Sequence, residues 1–408
     1  MDVQKILSAV ACVLVFTACS KKSSDSVYAV DSASCIGQAI SNKFIVQWED
    51  GRITVESGSD VESFKKEFIE PQLENIRQVE SDKRIQVDST VSASASASSS
   101  DTWGLSMIKA NAAYSQGIYG QDVKVAVVDA YVDVSHPQLA NRIAINTGEI
   151  PNNGIDDDRN GVVDDYYGAS FVSVPSSTNI PSPHGSHVAG IIAADSNYGP
   201  VSGVAPRAKI IPAQFIANDG GGSLGDAIIA LQYAAKRGAK IINASWGGAT
   251  CGVSGALRST FQSLERQGVL IIVAAGNDAR DIDVYPEFPA SFNLSNQITV
   301  AASDMTDFMT SWSNSGFNLV HVAAPGEHIL STVPGATSMY MDGTSMAAPF
   351  VSGTAALLWS SKPTATAQQI KAAIEQSVDV TSGHEFKVKT RGRINIQKAL
   401  QVLGQLVP

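Results

Sequence analysis

Three side chains in this sequence have the types and local settings of a nucleophile, a base and an orienting acid. Ser345 lies in the stretch GTSMAAP (residues 343–349), after a glycine and at the head of an apolar run that predicts a helix. The unpaired N–H groups and positive dipole end of a helix favour negative charge beside such a serine. A Gly-Thr-Ser triplet is also an ordinary helix cap, so this motif alone leaves both interpretations open.

Two further segments supply the partners that a serine nucleophile needs. Residues 123–129 (VKVAVVD) are almost continuously apolar, which predicts a buried parallel strand that ends on the carboxylate of Asp129. Residues 184–190 (HGSHVAG) open a second small-residue helix with His184. A serine needs a base to take its proton, and an imidazole needs a carboxylate to fix its tautomer. The three residues together therefore predict acyl-transfer chemistry.

These motifs resemble those of the subtilisin-like serine peptidases, the subtilases (family S8), over about three quarters of the chain. The resemblance implies that Ser345 attacks the scissile carbonyl, that His184 is the general base and acid, and that Asp129 orients the histidine. Shorter matches agree with it, namely GVAP (203–206), SWGG (245–248), AAGN (274–277), VAAPG (322–326) and RGRIN (391–395).

The resemblance also implies an oxyanion hole and a substrate cleft. Asn277 matches the side-chain donor of the oxyanion hole, with the Ser345 backbone N–H as second donor, although an Asn after Gly is also a common turn residue. Subtilases bind substrate as an added strand, and the matching residues here are Gly220, Gly221, Gly222, Leu224, Ser245, Trp246 and Gly247.

The sequence does not determine every feature of the predicted substrate cleft. A glycine run is equally typical of a loose surface loop. Leu224 and Trp246 suggest an apolar pocket for a side chain upstream of the cleaved bond. The stretch 278–286 departs in length from the family pattern, so the residue that fills the primary pocket is not determined.

One departure from the family pattern lies beside the acid. The family usually follows this aspartate with Ser or Thr and then Gly, whereas Ala130 and Tyr131 follow it here. A hydroxyl that supports the carboxylate is therefore missing, and a bulky ring stands where a tight turn is usual. Either the variation is tolerated, or it reduces activity or alters substrate access.

Three rival interpretations have some support. His187 shares a helix face with His184, but the family motif assigns catalysis to the first, so we expect His187 to be packed and hydrogen-bonded. An α/β-hydrolase esterase has the order Ser, Asp, His, which Ser345, Asp379 and His384 follow, but it requires G-x-S-x-G. A catalytically weak surface binding protein with a subtilase fold is suggested only by the departure beside the acid.

An acidic segment gives a second chemical signal. Residues 156–165 (DDDRNGVVDD) place oxygen side chains at alternate positions before a glycine, as a hard cation such as Ca²⁺ requires. Tyr167 stands where an EF-hand has its glutamate. Similarity to a calcium loop of some subtilases predicts structural Ca²⁺ ligands at Asp156, Asp158, Asn160, Val162, Asp164 and Asp165. An acidic turn without metal is the alternative.

The N-terminus predicts export. Lys5 precedes an apolar run, residues 6–16, that is too short for a stable membrane anchor. It ends in FTAC (16–19), which resembles a bacterial lipobox with Phe where Leu is usual. We therefore expect a signal peptide at residues 1–18 and a lipid on Cys19, with simple secretion as the alternative. Ser20 resembles the pattern of lipoproteins sent to the outer membrane, so the expected location is the bacterial cell envelope.

The segments after the signal predict a zymogen. Residues 19–40 read as a tether, and residues 41–90 as a small domain whose position resembles that of the family's inhibitory propeptide. A small structural appendage is the alternative. The Ser/Ala run at 91–101 predicts a linker and processing region, followed by the catalytic domain at 102–408.

Hydrophobic patterns predict the elements of both domains. The small domain should be α+β, with strands at 44–48 and 84–87 and a helix at 61–79 interrupted at Pro71. The catalytic domain should be α/β, a mainly parallel sheet flanked by helices. Ligands bind beyond the carboxyl ends of such strands, where Asp129, Ser245 and Asn277 fall. The predicted strands are 123–129, 209–214, 240–243 and 269–274, and the predicted helices are 225–237 and 254–267.

Composition limits the partners. About 44% hydrophobic residues and 33 glycines fit a packed α/β core, and a net charge of −10 without a Lys/Arg cluster argues against nucleic acid. The expected partners are protein or peptide substrates, the chain's own propeptide as inhibitor, and a membrane through the lipid anchor only. Cys35 and Cys251 are able to pair in an exported chain, although the sequence does not show that they meet.

Overall fold

The structure is a computed structural model that describes residues 22–29, 39–86, 102–248 and 254–408. Its helices are α1 (Ser24–Val27), α2 (Val61–Phe64), α3 (Trp103–Met107), α4 (Asn111–Tyr114), α5 (His184–Ala193), α6 (Leu224–Lys236), α7 (Gly255–Arg266), α8 (Thr344–Ser361), α9 (Ala367–Glu375) and α10 (Ile396–Leu406).

The strands in these residues are β1 (Ala39–Trp48), β2 (Ile53–Ser57), β3 (Ile76–Gln86), β4 (Lys124–Asp129), β5 (Ala169–Ser170), β6 (Lys209–Gln214), β7 (Gly221–Ser223), β8 (Ile241–Ala244), β9 (Leu270–Ala274), β10 (Gln297–Ser303), β11 (Val322–Pro325), β12 (Ile329–Val333), β13 (Thr337–Met341), β14 (Asp379–Val380) and β15 (Gly392–Arg393). The expected signal peptide, Cys19, Cys35, Cys251 and the Ser/Ala run at 91–101 lie outside the described residues.

A nine-stranded sheet forms the centre of the described part of residues 102–408. Its order is β14-β15-β11-β10-β9-β8-β4-β6-β5. Every neighbouring pair is parallel except β14–β15. The predicted α/β fold with a mainly parallel sheet is confirmed, and the four strands predicted for this domain are found within one residue of their predicted bounds.

The sheet is buried on both faces because helices cover each of them. Val125 and Val127 of β4 pack into a core with α5 and α8, whereas Ala126 and Val128 pack into a second core with α6 and α7. Alternate residues of a strand point to opposite faces, so a strand covered on both sides must be apolar at nearly every position. This explains why residues 123–129 show no alternation of polar and apolar side chains.

The carboxyl ends of β4, β8 and β9 meet at one edge, since these strands are adjacent and parallel. Asp129 is the last residue of β4, Ser245 follows β8, and Asn277 comes three residues after β9 ends. The fold therefore brings residues that are far apart in sequence to the same edge of the sheet.

The N-terminal domain contributes β2, β1 and β3 to a four-stranded sheet in which β1 pairs antiparallel with β2 and β3. The fourth strand, β7, comes from the catalytic domain and pairs with β3. The helix predicted at 61–79 is wrong in its second half: α2 continues as one π turn (Lys65–Ile69) and a 3-10 turn (Glu70–Asn75), and β3 begins at Ile76. Pro71 lacks the N–H that a regular helix needs. Ile76 and Val79 instead bury their side chains against β1 as part of a strand.

Within the described residues, we find no helix that is both long and apolar enough to cross a membrane.

Candidate active site

Asp129 and His184 meet where β4 ends and α5 begins. His184 Nδ1 donates a hydrogen bond of 2.6 Å to Asp129 Oδ1, and the two side chains are 4% and 0% exposed. Gly185 permits this approach, because a Cβ at that position would collide with the carbonyl oxygen of Ala130. The bond places a proton on Nδ1, so that Nε2 carries the lone pair with which a base accepts a proton.

Two opposing effects act on the pKa of His184. Burial of the ring disfavours the charged imidazolium, whereas the Asp129 carboxylate favours it through its charge and its hydrogen bond. The net result is a pKa raised above the ordinary value of a histidine. A raised pKa makes His184 a stronger base once it is neutral.

The departure from the family pattern beside Asp129 has a structural counterpart. The Ala130 N–H donates to Asp129 Oδ1 at 2.6 Å, but the buried Asp129 Oδ2 has no hydrogen-bond partner among the described residues. An unsatisfied buried polar atom costs about 1–3 kcal/mol. A serine or threonine hydroxyl at position 130 is the kind of donor that this oxygen lacks.

Tyr131 is part of a turn that is tied to α5. Ser186 Oγ donates to the Tyr131 carbonyl oxygen at 3.3 Å and accepts from the Asp133 N–H at 2.9 Å. The turn after the acid is thus fixed by hydrogen bonds from the same helix that carries His184.

Ser345 is the second residue of α8, a helix that packs against α5. Its Oγ donates to the Ser245 carbonyl oxygen at 3.1 Å, and it makes no hydrogen bond to His184 in the described structure. Ser245 Oγ in turn donates to the Ser345 carbonyl oxygen at 2.8 Å. That oxygen is available because Pro349, four residues on, has no N–H to donate to it.

The side-chain amide of Asn277 is oriented by Thr344, the residue before Ser345. Its Oδ1 accepts from the Thr344 N–H and from Thr344 Oγ1, both at 2.9 Å. With the oxygen so engaged, the Nδ2 end lies 3.7 Å from where a Cβ on Gly343 would stand. The structure thus places an amide donor beside the head of α8, where the sequence predicts the oxyanion hole.

The glycines predicted to bind substrate already pair with a strand. Gly221 and Gly222 of β7 lie opposite Gln86 and Ile85 of β3 in antiparallel register. Leu224 and Trp246 are buried, and Trp246 Nε1 donates to the Val128 carbonyl oxygen at 2.8 Å. The apolar pocket suggested for these two residues stays a prediction.

The remaining histidines of the rival interpretations have structural partners. His187 Nε2 lies 3.0 Å from the Ile329 carbonyl oxygen and 3.1 Å from that of Met339, and burial lowers its pKa to about 3. It is therefore a neutral donor, packed as expected. His384 pairs with the Thr381 hydroxyl and Asp379 with Arg393, so neither is hydrogen-bonded to the nucleophile of an esterase triad.

Comparison with known proteins decides the family. A model described as the subtilase family matches residues 120–399. The chain belongs to the subtilase family. Subtilisin E of Bacillus subtilis (strain 168) is 36% identical to it over 303 residues, which are 73% of this chain and 71% of that protein.

Two further relatives agree with this assignment. Thermitase of Thermoactinomyces vulgaris is 36% identical over 283 residues, which are 69% of this chain and 90% of thermitase. Subtilisin of Bacillus pumilus is 36% identical over 303 residues, which are 73% of this chain and 98% of that protein. These relatives support a serine endopeptidase, and hence protein or peptide substrates, for this subtilase.

A cluster of carboxylates lies in the acidic segment of the subtilase. Oxygen atoms of Glu149, Asp158 and Asp165 all lie within 4.8 Å of one another, close enough to hold a metal ion. Glu149 is only 4% exposed, its Oε1 accepts from the Asp158 N–H, and its Oε2 is buried without a partner. A buried carboxylate oxygen without a donor, beside two other carboxylates, fits a hard cation.

The cluster overlaps only partly with the ligands predicted from the sequence. Asp158 and Asp165 belong to it, but the Asp156 carboxylate accepts from the N–H groups of Asn160 and Gly161. The carboxylate of Asp164 accepts from the N–H groups of Asn153 and Gly154, in a different turn. The Asn160 amide donates to both Asp158 and Asp165, and the Val162 N–H donates back to Asn160 Oδ1.

Glu149 was missed by the sequence analysis. It lies seven residues before Asp156, outside the predicted loop at 156–165, and it reaches the cluster only through the fold. One member of the cluster already has a counter-charge, because Arg237 donates to Asp165 Oδ2 at 2.9 Å.

The pH dependence of hydrolysis tests the environment of His184. We expect kcat/KM to fall as pH decreases through the pKa of His184, because only the neutral imidazole accepts the serine proton, and this fall should centre above the ordinary histidine pKa. Ala130→Ser should give Asp129 Oδ2 a hydrogen-bond donor and so weaken the stabilisation of the His184 imidazolium by the carboxylate. The fall in kcat/KM should then occur at lower pH. Kinetics across the pH range, with the exposed Ala140→Ser as control, measure this shift. If kcat/KM falls at the same pH in the parent protein, Ala130→Ser and Ala140→Ser, the role given to Asp129 Oδ2 is contradicted.

Proposed function

We propose that this subtilase is a serine endopeptidase that hydrolyses peptide bonds through Asp129, His184 and Ser345. The observation that carries the proposal is the 2.6 Å bond between His184 and Asp129, at the edge of the sheet where Asn277 is also held. A binding protein would have no need of a buried imidazole whose pKa is raised by a carboxylate.

The proposed mechanism begins with a movement of the serine. Ser345 Oγ leaves the Ser245 carbonyl and gives its proton to His184 Nε2 as it bonds to the carbonyl carbon of the substrate. Asp129 stabilises the imidazolium that forms. The negative charge on the substrate oxygen is met by Asn277 Nδ2 and the Ser345 backbone N–H.

The second half of the proposed reaction returns the enzyme to its starting state. His184 gives the proton to the leaving amine, the C–N bond breaks, and an acyl-enzyme remains on Ser345. Water then gives a proton to His184 as its oxygen attacks the acyl carbon. The Ser345–acyl bond breaks, His184 returns the proton to Ser345 Oγ, and the new carboxyl terminus departs.

We also propose that the N-terminal domain is an inhibitory propeptide. The last described residues of β3 lie in antiparallel register with Gly221 and Gly222, which is the manner in which a substrate strand is expected to bind. In this proposal, the end of β3 occupies part of the chain's own substrate cleft. Cleavage by the enzyme itself within the linker at 91–101 would convert this precursor into a mature form.

Two carboxylates strengthen the docking of this domain. Glu80 Oε1 accepts from Ser254 Oγ at 2.9 Å and from the Ala256 N–H at 2.8 Å, at the start of α7. Asp82 Oδ1 accepts from the Gly225 N–H at 2.8 Å, at the start of α6. The helix dipole and the unpaired N–H groups favour negative charge at the N-terminus of a helix. At Asp82 burial opposes this effect, since it raises the pKa of the carboxyl group.

We propose that the chain is exported to the bacterial cell envelope and anchored by a lipid on Cys19. The lipobox-like FTAC supports this. Part of the segment expected as a tether is instead folded, because residues 24–27 form α1 and Val27 packs into the core of the N-terminal domain. Growth with radiolabelled palmitate should label the parent protein but not Cys19→Ser. An unlabelled parent protein would instead indicate secretion without an anchor.

The proposed peptidase function is tested by removing the nucleophile and the oxyanion donor separately. Ser345→Ala should abolish casein hydrolysis and leave the chain at precursor size in a protease-deficient host. Asn277→Ala should keep the fold but lower turnover about 100- to 1000-fold, the loss measured for such an asparagine in a subtilisin. Ser361→Ala, at the far end of α8, is the matched control. Cleavage by Ser345→Ala at the parent rate, or a parent protein without activity on any peptide, would contradict the proposal.

We propose that the acidic cluster holds structural Ca²⁺ through Glu149, Asp158 and Asp165. Oxygen ligands from carboxylates are those that Ca²⁺ prefers. The ion would offset the mutual repulsion of these groups and fix the segment that precedes α5. It would take no part in the chemistry of the triad.

Thermal unfolding distinguishes the Ca²⁺ ligands indicated by the structure from those predicted by the sequence alone. Calcium at about 100 times its dissociation constant should stabilise the fold by about 2.7 kcal/mol and raise Tm. Glu149→Gln and Asp158→Asn should each remove most of that rise. Asp164→Asn should retain it, since the Asp164 carboxylate binds a different turn. Equal Tm values with calcium and with chelator in the parent protein would exclude a calcium site here.

A further inference from the structure

Three backbone segments lie beside the nucleophile, and we call the space that Gly247 and Gly276 leave next to Glu287 the slot. Ser245 contacts Ser345 directly, and Gly247 follows two residues later. Gly276 directly precedes Asn277. The third segment is 287–288, whose Phe288 exchanges backbone hydrogen bonds of 3.0 and 3.3 Å with Gly248. A substrate carbonyl held by Ser345 and Asn277 must therefore project its neighbouring side chain close to these segments.

The carboxylate of Glu287 lies at the base of this slot. A Cβ on Gly276 would stand 2.7 Å from both carboxylate oxygens, and one on Gly247 would stand 3.2 Å from Oε1. The two glycines are partly exposed, whereas Glu287 is only 6% exposed. Both glycines thus lack the side chain that would otherwise stand against this buried carboxyl group.

Glu287 is held in place from two sides. Its Oε2 accepts from Asn314 Nδ2 at 2.7 Å, and the same amide group donates to the Ala275 carbonyl oxygen at 3.0 Å. Its backbone N–H donates to Ser291 Oγ at 3.0 Å. The carboxylate is therefore a fixed wall of the slot, because both its amide donor and its backbone are anchored.

We infer that Glu287 selects substrates with a lysine or arginine side chain at the residue whose carbonyl Ser345 attacks. A cationic side chain entering the slot would bring its charge to a buried carboxylate, where few water molecules compete for it. A neutral side chain of the same length would fill the slot but offer no charge. The inference rests on the proposed peptidase function and adds a preference to it.

One consequence concerns the chain itself. The stretch 87–101 contains neither Lys nor Arg. Cleavage in this stretch would place an unfavoured side chain beside Glu287, so the enzyme's own linker is a poor substrate and the precursor is processed slowly.

The inference is tested with pairs of peptides that differ only in charge. The enzyme obtained from the full chain is given substrates with lysine or norleucine, and with arginine or citrulline, at the cleaved position. We expect kcat/KM to favour the cationic member of each pair by about tenfold or more. Glu287→Gln should abolish this ratio while keeping hydrolysis of the norleucine peptide. Glu385→Gln, the same change at an exposed site, should keep the ratio.

A second measurement needs no variant. The n-butylammonium ion should inhibit the parent enzyme competitively against the norleucine peptide, and 1-butanol at the same concentration should not. Hydrolysis without preference for the cationic peptides, or a preference that survives in Glu287→Gln, would overturn the inference but leave the peptidase function standing. Failure of the parent enzyme to cleave any of the four peptides would overturn both.

Discussion

The hydrogen bond between His184 and Asp129 joins two buried polar groups. Without its partner, Asp129 would destabilise the end of β4 and His184 would destabilise the start of α5. A carboxylate at the buried end of β4 loses its water, and a partner within hydrogen-bond distance is needed to offset that loss. The first residue of α5 supplies the partner, and Gly185 allows the helix to approach closely enough. The pKa of His184 follows from the same contact, so the fold and the basicity of the site have one cause.

The nucleophile is held by a second set of contacts around the start of α8. Pro349 leaves the Ser345 carbonyl oxygen without its helical donor, and Ser245 Oγ takes that place. Asn243, on β8, donates to Ser245 Oγ and accepts from Ser352 of α8, so strand and helix are linked by side chains on both sides of the proline. Strand ends and helix starts thus fix the site, and the described loops add the pocket residue and the acidic cluster.

The sequence predicted those parts of the site whose signal is local. Asp129 and His184 stand in short motifs at element boundaries, and the structure brings the two into contact. Glu149 and Glu287 were not predicted, because each gains its setting from residues distant in sequence. The helix expected at 61–79 failed for a similar reason. Ile76 and Val79 fit the helical period, but pairing with β1 buries them better in a strand.

The central claim is that Asp129, His184 and Ser345 act as one unit, and a fluorophosphonate probe tests it most directly. Such a probe phosphonylates only a serine whose proton a neighbouring base removes. We predict one phosphonyl group per active chain, located on Ser345 by peptide mass spectrometry and absent from His184→Ala. A label on another serine, or peptide hydrolysis that persists while Ser345 is unlabelled and excess probe is present, would contradict the account.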